Sequence, residues 1–167
     1  ATIANGKYSI ATGNETEASG EYSITTGLNT LSSGMASLAM GNATEASSDY
    51  SIAIGNSSLA SNKYAIAIGN SAESLGEYAF ALGLKVKASG DYSIATGNLT
   101  ESIGKTSFAL GAETKSKGEF SISSGLKTVA EGKASFTTGN ETTAKGDFSI
   151  SNGNKTIAEG EYSFTLG

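Results

Sequence analysis

The sequence predicts an all-β solenoid of about twelve 14-residue coils, each giving two short strands to two parallel sheets that face one another as a flattened roll. Three observations carry this. All 22 glycines fall on two sites of a 14-residue period that runs from end to end without insertion or deletion. In the first half of each coil, apolar and small residues alternate with a period of two. In the second half, small residues alternate with charged ones. A fixed short period means that each coil touches only its neighbours, so the whole chain, residues 1–167, reads as one rod-like repeat domain. At the spacing of paired strands, twelve coils make a rod of roughly 55 Å.

The coil is numbered from its first glycine, so Gly6 is position one and Gly13 is position eight. Position eight is glycine in every coil, from Gly13 to Gly167. Position one is glycine except at Ser48 and Asn62. Position three holds every tyrosine, together with Phe120 and Phe148, and departs from aromatic only at Ala36, Thr106 and Ala134. Position five is always Ile, Leu or Phe, as in Ile10, Leu38 and Phe80, and positions four and six are always Ser, Ala or Thr. This alternation between glycines predicts the first strand, supported by its aromatic and β-branched content.

The second half-coil is marked by threonine at position eleven in eight coils, from Thr16 to Thr156, and by Ala or Ser at position thirteen. A strand with small residues on one face and Glu or Lys on the other is covered on one side and solvated on the other. The threonines therefore point inward. Glycines at the corners supply backbone freedom, and the asparagines that follow position eight, such as Asn14, Asn42 and Asn56, suit tight turns. In-register stacking also predicts alternating charge along a row. Position two (Asp91, Lys105, Glu119, Lys133, Asp147), position ten (Glu113, Lys127, Glu141, Lys155) and position fourteen (Lys117, Glu131, Lys145, Glu159) all alternate.

Composition narrows function. The chain has no Cys, His, Trp, Pro or Arg, so the commonest general base, thiolate chemistry and the commonest transition-metal ligand are all missing. The expectation is a non-enzymatic protein without cofactor or metal. A net charge of −5 without basic clusters speaks against nucleic acid. No apolar run reaches the roughly 20 residues of a membrane span. The three aspartates are isolated and no Gly-Gly-x-Gly-x-Asp segment occurs, unlike calcium-binding rolls. A single inward threonine rank does not make an ice-binding array. Six Asn-x-Ser/Thr sequons, at Asn14, Asn42, Asn56, Asn98, Asn140 and Asn154, follow from turn asparagine and strand threonine standing two apart.

The first strand carries no charge on either face, yet the second strand can cover only one of them. Repeated over twelve coils, the other face is an apolar stripe larger than a monomer exposes, which predicts a homo-oligomer packed along that sheet. The residue pattern leaves open whether the Ile/Phe face fills the roll or the oligomer axis. Candidate ligand contacts are the variable positions that turn apolar: Leu28, Leu31 and Met35, Leu59, and Leu99 with Ile103.

The segments SIAIG at Ser51 to Gly55, AIAIG at Ala65 to Gly69 and SIATG at Ser93 to Gly97 resemble the SVAIG core of YadA-like head repeats from trimeric autotransporter adhesins, and the likeness covers the whole chain. The resemblance implies a left-handed parallel β-roll and a parallel homotrimer. It also implies an extracellular adhesin on a bacterial surface, binding matrix proteins, cell-surface ligands or other cells as in biofilm. Membrane contact would come only through a C-terminal anchor outside this chain, which is expected to be a piece of a longer fibrous protein. The family motif often opens with asparagine where this chain has Tyr, Phe, Ala or Thr, so collagen binding is not carried over to any residue. Similar repeats also occur in phage tail fibres, as a spacer or receptor-binding rod.

Overall fold

The computed structural model describes residues 1–167 and contains two parallel sheets of 12 strands each, with no helix. One sheet is built of longer strands, five residues each from Ile10–Asn14 to Ile150–Asn154 and ending with Phe164–Leu166. The other is built of two-residue strands from Ile3–Ala4 to Ile157–Ala158. Each strand pairs with its counterpart one coil away, so Ile66 lies beside Ile52 and Phe80, and Glu73 beside Leu59 and Lys87. The alternating-charge expectation rested on this register, and the register holds throughout.

The interior is made of small side chains. Away from the terminal coils, positions four, six, eleven and thirteen are buried, and Val86 is the largest side chain fully enclosed. Two sheets joined by corners of so few residues stand too close for anything bulkier. The threonines of position eleven point inward as expected, and Thr16, Thr100 and Thr114 are wholly buried. Position five points out of the roll: Ile10, Ile24, Ile122, Phe136, Ile150 and Phe164 are exposed and the others half-buried. The Ile/Phe face therefore does not fill the roll.

Two details differ from the sequence reading. The long strand starts at position five rather than three and runs through the position-eight glycine to the residue after it, as in Ile94–Asn98. Asparagines such as Asn98 thus end strands instead of forming turns. The left-handed residues at the corners are also not glycines. They are position three, with φ of 50 to 59° from Tyr8 to Tyr162, and position ten, with φ of 51 to 57° from Glu15 to Lys155. A four-residue turn over positions one to four, closed by bonds such as Ser93 N–H to Gly90 C=O at 3.1 Å, carries its positive φ at the third residue, as type II turns do.

The glycines are needed for other reasons. At position eight φ lies between 122 and 141°, a region open only to glycine, and a Cβ there would overlap the carbonyl oxygen of the next coil's glycine. At position one φ is not positive, but a Cβ there would likewise overlap the next coil's carbonyl oxygen, as at Gly90 against Gly104. Ser48 and Asn62 show that this second conflict is relieved locally. The Ser48 amide meets Ser51 Oγ at 3.3 Å, and Asn62 Oδ1 accepts the Lys63 N–H at 2.9 Å.

Candidate functional site

The outward face of the long-strand sheet presents positions five, seven and nine. Position five is apolar in every coil. Position seven, central of the three, is apolar from Met40 to Leu110 except at Thr96 (Met40, Ile54, Ile68, Leu82, Leu110) and polar outside that run (Thr12, Thr26, Ser124, Thr138, Asn152) except at Leu166. Position nine is mostly asparagine and forms amide ladders, with Asn42 Nδ2 donating to Asn56 Oδ1 at 3.0 Å and Asn140 Nδ2 to Asn154 Oδ1 at 2.8 Å. No charged side chain stands on this face. Large aliphatic and aromatic groups repeated along a flat sheet suit burial against another protein surface.

The opposite side of the roll, formed by positions ten, twelve and fourteen, is charged. Its ion pairs all join neighbouring coils: Lys117–Glu131 at 2.8 Å and Lys145–Glu159 at 2.7 Å in row fourteen, and Lys155–Glu141 at 3.9 Å in row ten. Lys133–Glu119 at 3.5 Å belongs to row two. Sequence reasoning did not single out row twelve, where Lys87–Glu73 at 3.2 Å and Lys115–Glu101 at 2.9 Å pair. The signal was there, because Glu73, Lys87, Glu101 and Lys115 alternate as the other rows do. All six pairs are solvent-exposed and act more on register than on stability. The hydrogen bond and charge of Lys145 hold the Glu159 carboxyl below the usual carboxylate range, and Glu159 in turn raises Lys145.

The isolated aspartates have a structural task. Asp49, Asp91 and Asp147 each accept, through Oδ1, the backbone N–H of the residue one coil before: Met35 at 3.0 Å, Glu77 at 3.1 Å and Lys133 at 2.8 Å. Nothing in the sequence distinguished them from ladder charges.

Position three forms an aromatic ladder along one corner. Tyr50, Tyr64, Tyr78 and Tyr92 stack in series, with ring centroids 5.1, 4.6 and 5.0 Å apart. Tyr8–Tyr22 and Phe148–Tyr162 stack at 5.2 Å. Lys7 and Lys63 lie over the rings of Tyr8 and Tyr64 at 4.9 and 5.3 Å. Loss of water contact raises Tyr78 above the usual phenol range, reinforced by Tyr64, Glu77 and Tyr92.

The six apolar candidates for ligand contact do not come together. Leu28 stands on the long-sheet face; Leu31 and Leu59 stand on the short-sheet face, where Leu31 pairs with Glu17 and Glu45, and Leu59 with Glu45 and Glu73. Met35 lies in the corner turn, its amide bonded to Asp49. Leu99 lines a shallow groove of about 280 Å³ with Lys85, Glu101, Glu113 and Lys115, and Ile103 is exposed outside it. Each sequon keeps its asparagine on the surface or near it, while its hydroxyl residue, such as Thr44 or Thr142, is buried inside the roll.

Against known proteins, the family model described as "YadA head domain repeat (2 copies)" matches residues 4–30, 32–58, 60–85, 87–100 and 102–128. The longer matches each cover two coils, so the family's two-copy unit and the observed period coincide. No curated protein matches this chain.

Proposed function

The chain belongs to the YadA head repeat family, and from that membership and its uncovered apolar sheet we propose that it is a head segment of a trimeric autotransporter adhesin on a bacterial surface. Three copies pack in parallel with their long-strand sheets inward, and the charged short-strand sheets face the medium. The observation that carries this reading is position five: an Ile, Leu or Phe in every coil, pointing out of the roll with nothing over it. In a sheet with one face on its own core and the other without charge, the second face calls for a protein partner. The family supplies three as the number of chains.

The trimer acts as a stiff rod whose repeated outer surface meets matrix proteins or cell-surface ligands, or holds further domains away from the cell. Its work is adhesion and spacing rather than catalysis, consistent with the absence of His, Cys and Arg. Light scattering on a sizing column across a dilution series tests the assembly. A mass about three times the chain's 16.8 kDa is expected; a monomer at every concentration overturns the reading. Saturable binding of the purified rod to immobilised matrix proteins or to cells tests the adhesive role, and none would leave only a spacer.

A further inference from the structure

We propose that the break in the aromatic ladder at Thr106 is a binding slot for one electron-rich aromatic side chain, Trp or Tyr, of a partner protein. Position three projects its side chain the same way in every coil, because the backbone is held at nearly one φ throughout. Where three coils in succession carry rings, the middle ring is sandwiched, as Tyr64 and Tyr78 are. Thr106 replaces one ring of such a run. Tyr92 stacks on Tyr78 through one face only, and Phe120 stacks on no ring. The two rings that border Thr106 are 52 % and 49 % exposed. They stand two coils apart, roughly 10 Å at the spacing of paired strands. One inserted ring would therefore lie about 5 Å from each neighbour, the separation the ladder already uses.

Two further observations single out this slot from those at Ala36 and Ala134. Among the non-glycine residues with positive φ, Thr106 is the one that is β-branched, and such residues are the least suited to the left-handed region. Thr106 keeps the backbone of its row despite that strain, and its small side chain leaves the space between Tyr92 and Phe120 without a ring. Beside it, Lys105 makes no ion pair, unlike Lys133, which is held by Glu119. Lys105 precedes the slot as Lys7 precedes Tyr8 and Lys63 precedes Tyr64, the two lysines that lie over their neighbours' rings. A ring entering at Thr106 would stack between two aromatic faces, and the Lys105 ammonium beside it would favour an electron-rich ring over an electron-poor one.

The test uses N-acetyl-tryptophanamide as the probe; the chain contains no tryptophan, so indole emission reports the probe alone. Titration with the protein is expected to give a saturable emission change. Thr106→Tyr, which fills the slot with the residue the ladder otherwise carries, should weaken binding at least tenfold while the far-UV circular dichroism and the light-scattering mass stay those of the parent. Lys105→Ala should weaken it severalfold, whereas Ala36→Tyr, in another break, should leave it unchanged. Saturable binding that survives Thr106→Tyr, or no saturable change with the parent protein, overturns the proposal. The mass readout keeps this separate from the trimer reading, since the slot lies within one chain.

Discussion

The two glycine series look alike in sequence but should respond very differently to the same substitution. Gly97→Asn places a Cβ where φ is 122° and where the carbonyl oxygen of Gly111 blocks it. The strained backbone costs about 1–3 kcal/mol, and relief of the overlap separates the strand from its neighbour, losing at least one ladder bond at about 1 kcal/mol each. A total of at least about 3 kcal/mol is expected, which for a chain of this size lowers Tm by about 6–12 °C. Gly90→Asn meets no positive φ, and Asn62 already occupies the equivalent site with its Oδ1 accepting Lys63 N–H at 2.9 Å. Its Cβ would also overlap the Gly104 carbonyl oxygen, but without the strained φ, and with Asn62 showing that this corner can shift to take a side chain, a smaller loss than for Gly97→Asn is expected. Thermal and urea unfolding of both variants at one fixed protein concentration make the comparison. Equal losses, or a tolerated Gly97→Asn, would refute the assignment of separate roles to the two series.

Three other perturbations follow from the same geometry. Ala109→Ser should stabilise the roll by about 1 kcal/mol in urea unfolding, because Thr114 Oγ1 is buried without a partner, whereas Thr128 and Thr156 pair with a serine five residues earlier at 2.7 and 2.8 Å. The Lys145–Glu159 pair contributes above the unfolded carboxylate range, and its contribution fades as pH falls through the depressed Glu159 value; at the other end it fades as pH rises through the elevated Lys145 value. NMR titration should find Glu159 low in dilute buffer and nearer its ordinary value in 1 M salt, and a salt-independent value would count against the pair. Ile68→Glu, at the centre of the long-sheet face, should weaken chain association at least about a hundredfold by burying unpaired carboxylates, read as a shift in light-scattering mass towards one chain.

Much of this was legible because a repeat averages its own noise. The period, the two sheets, the inward threonines and the alternating rows all follow from which residue types recur at one position. The strand boundary was not legible, for a specific reason. Tyr92 and Ile94 have the same parity and read as one strand face, yet Tyr92 sits at φ 57° in a turn, so its ring joins the corner ladder while Ile94 joins the sheet. A left-handed tyrosine leaves no mark in an alternation pattern. The aspartate bridges were hidden likewise: Asp147 and Glu119 look equivalent as ladder charges, but only the shorter side chain accepts a backbone amide from one coil away. The apolar candidates stand on several sides of the coil, because variable positions on a solenoid are not confined to one face.

The small-residue interior also explains why the outer face matters so much. A roll that fully encloses nothing larger than Val86 gains little from burying large apolar groups inside itself. Its internal cohesion comes from 128 backbone–backbone hydrogen bonds in 167 residues, most of them joining neighbouring coils. Every Ile, Leu and Phe of position five stands outside, where burial of one such side chain is worth about 1.5–3 kcal/mol. If the chains pack by this face as proposed, the main hydrophobic stabilisation lies between chains, and folding and assembly draw on the same residues. Stability should then rise with protein concentration, as it does whenever the folded state alone is bound. Unfolding midpoints that stay fixed over a hundredfold dilution would place the stability inside the single roll, in its backbone ladders, and would refute the coupling of folding to assembly.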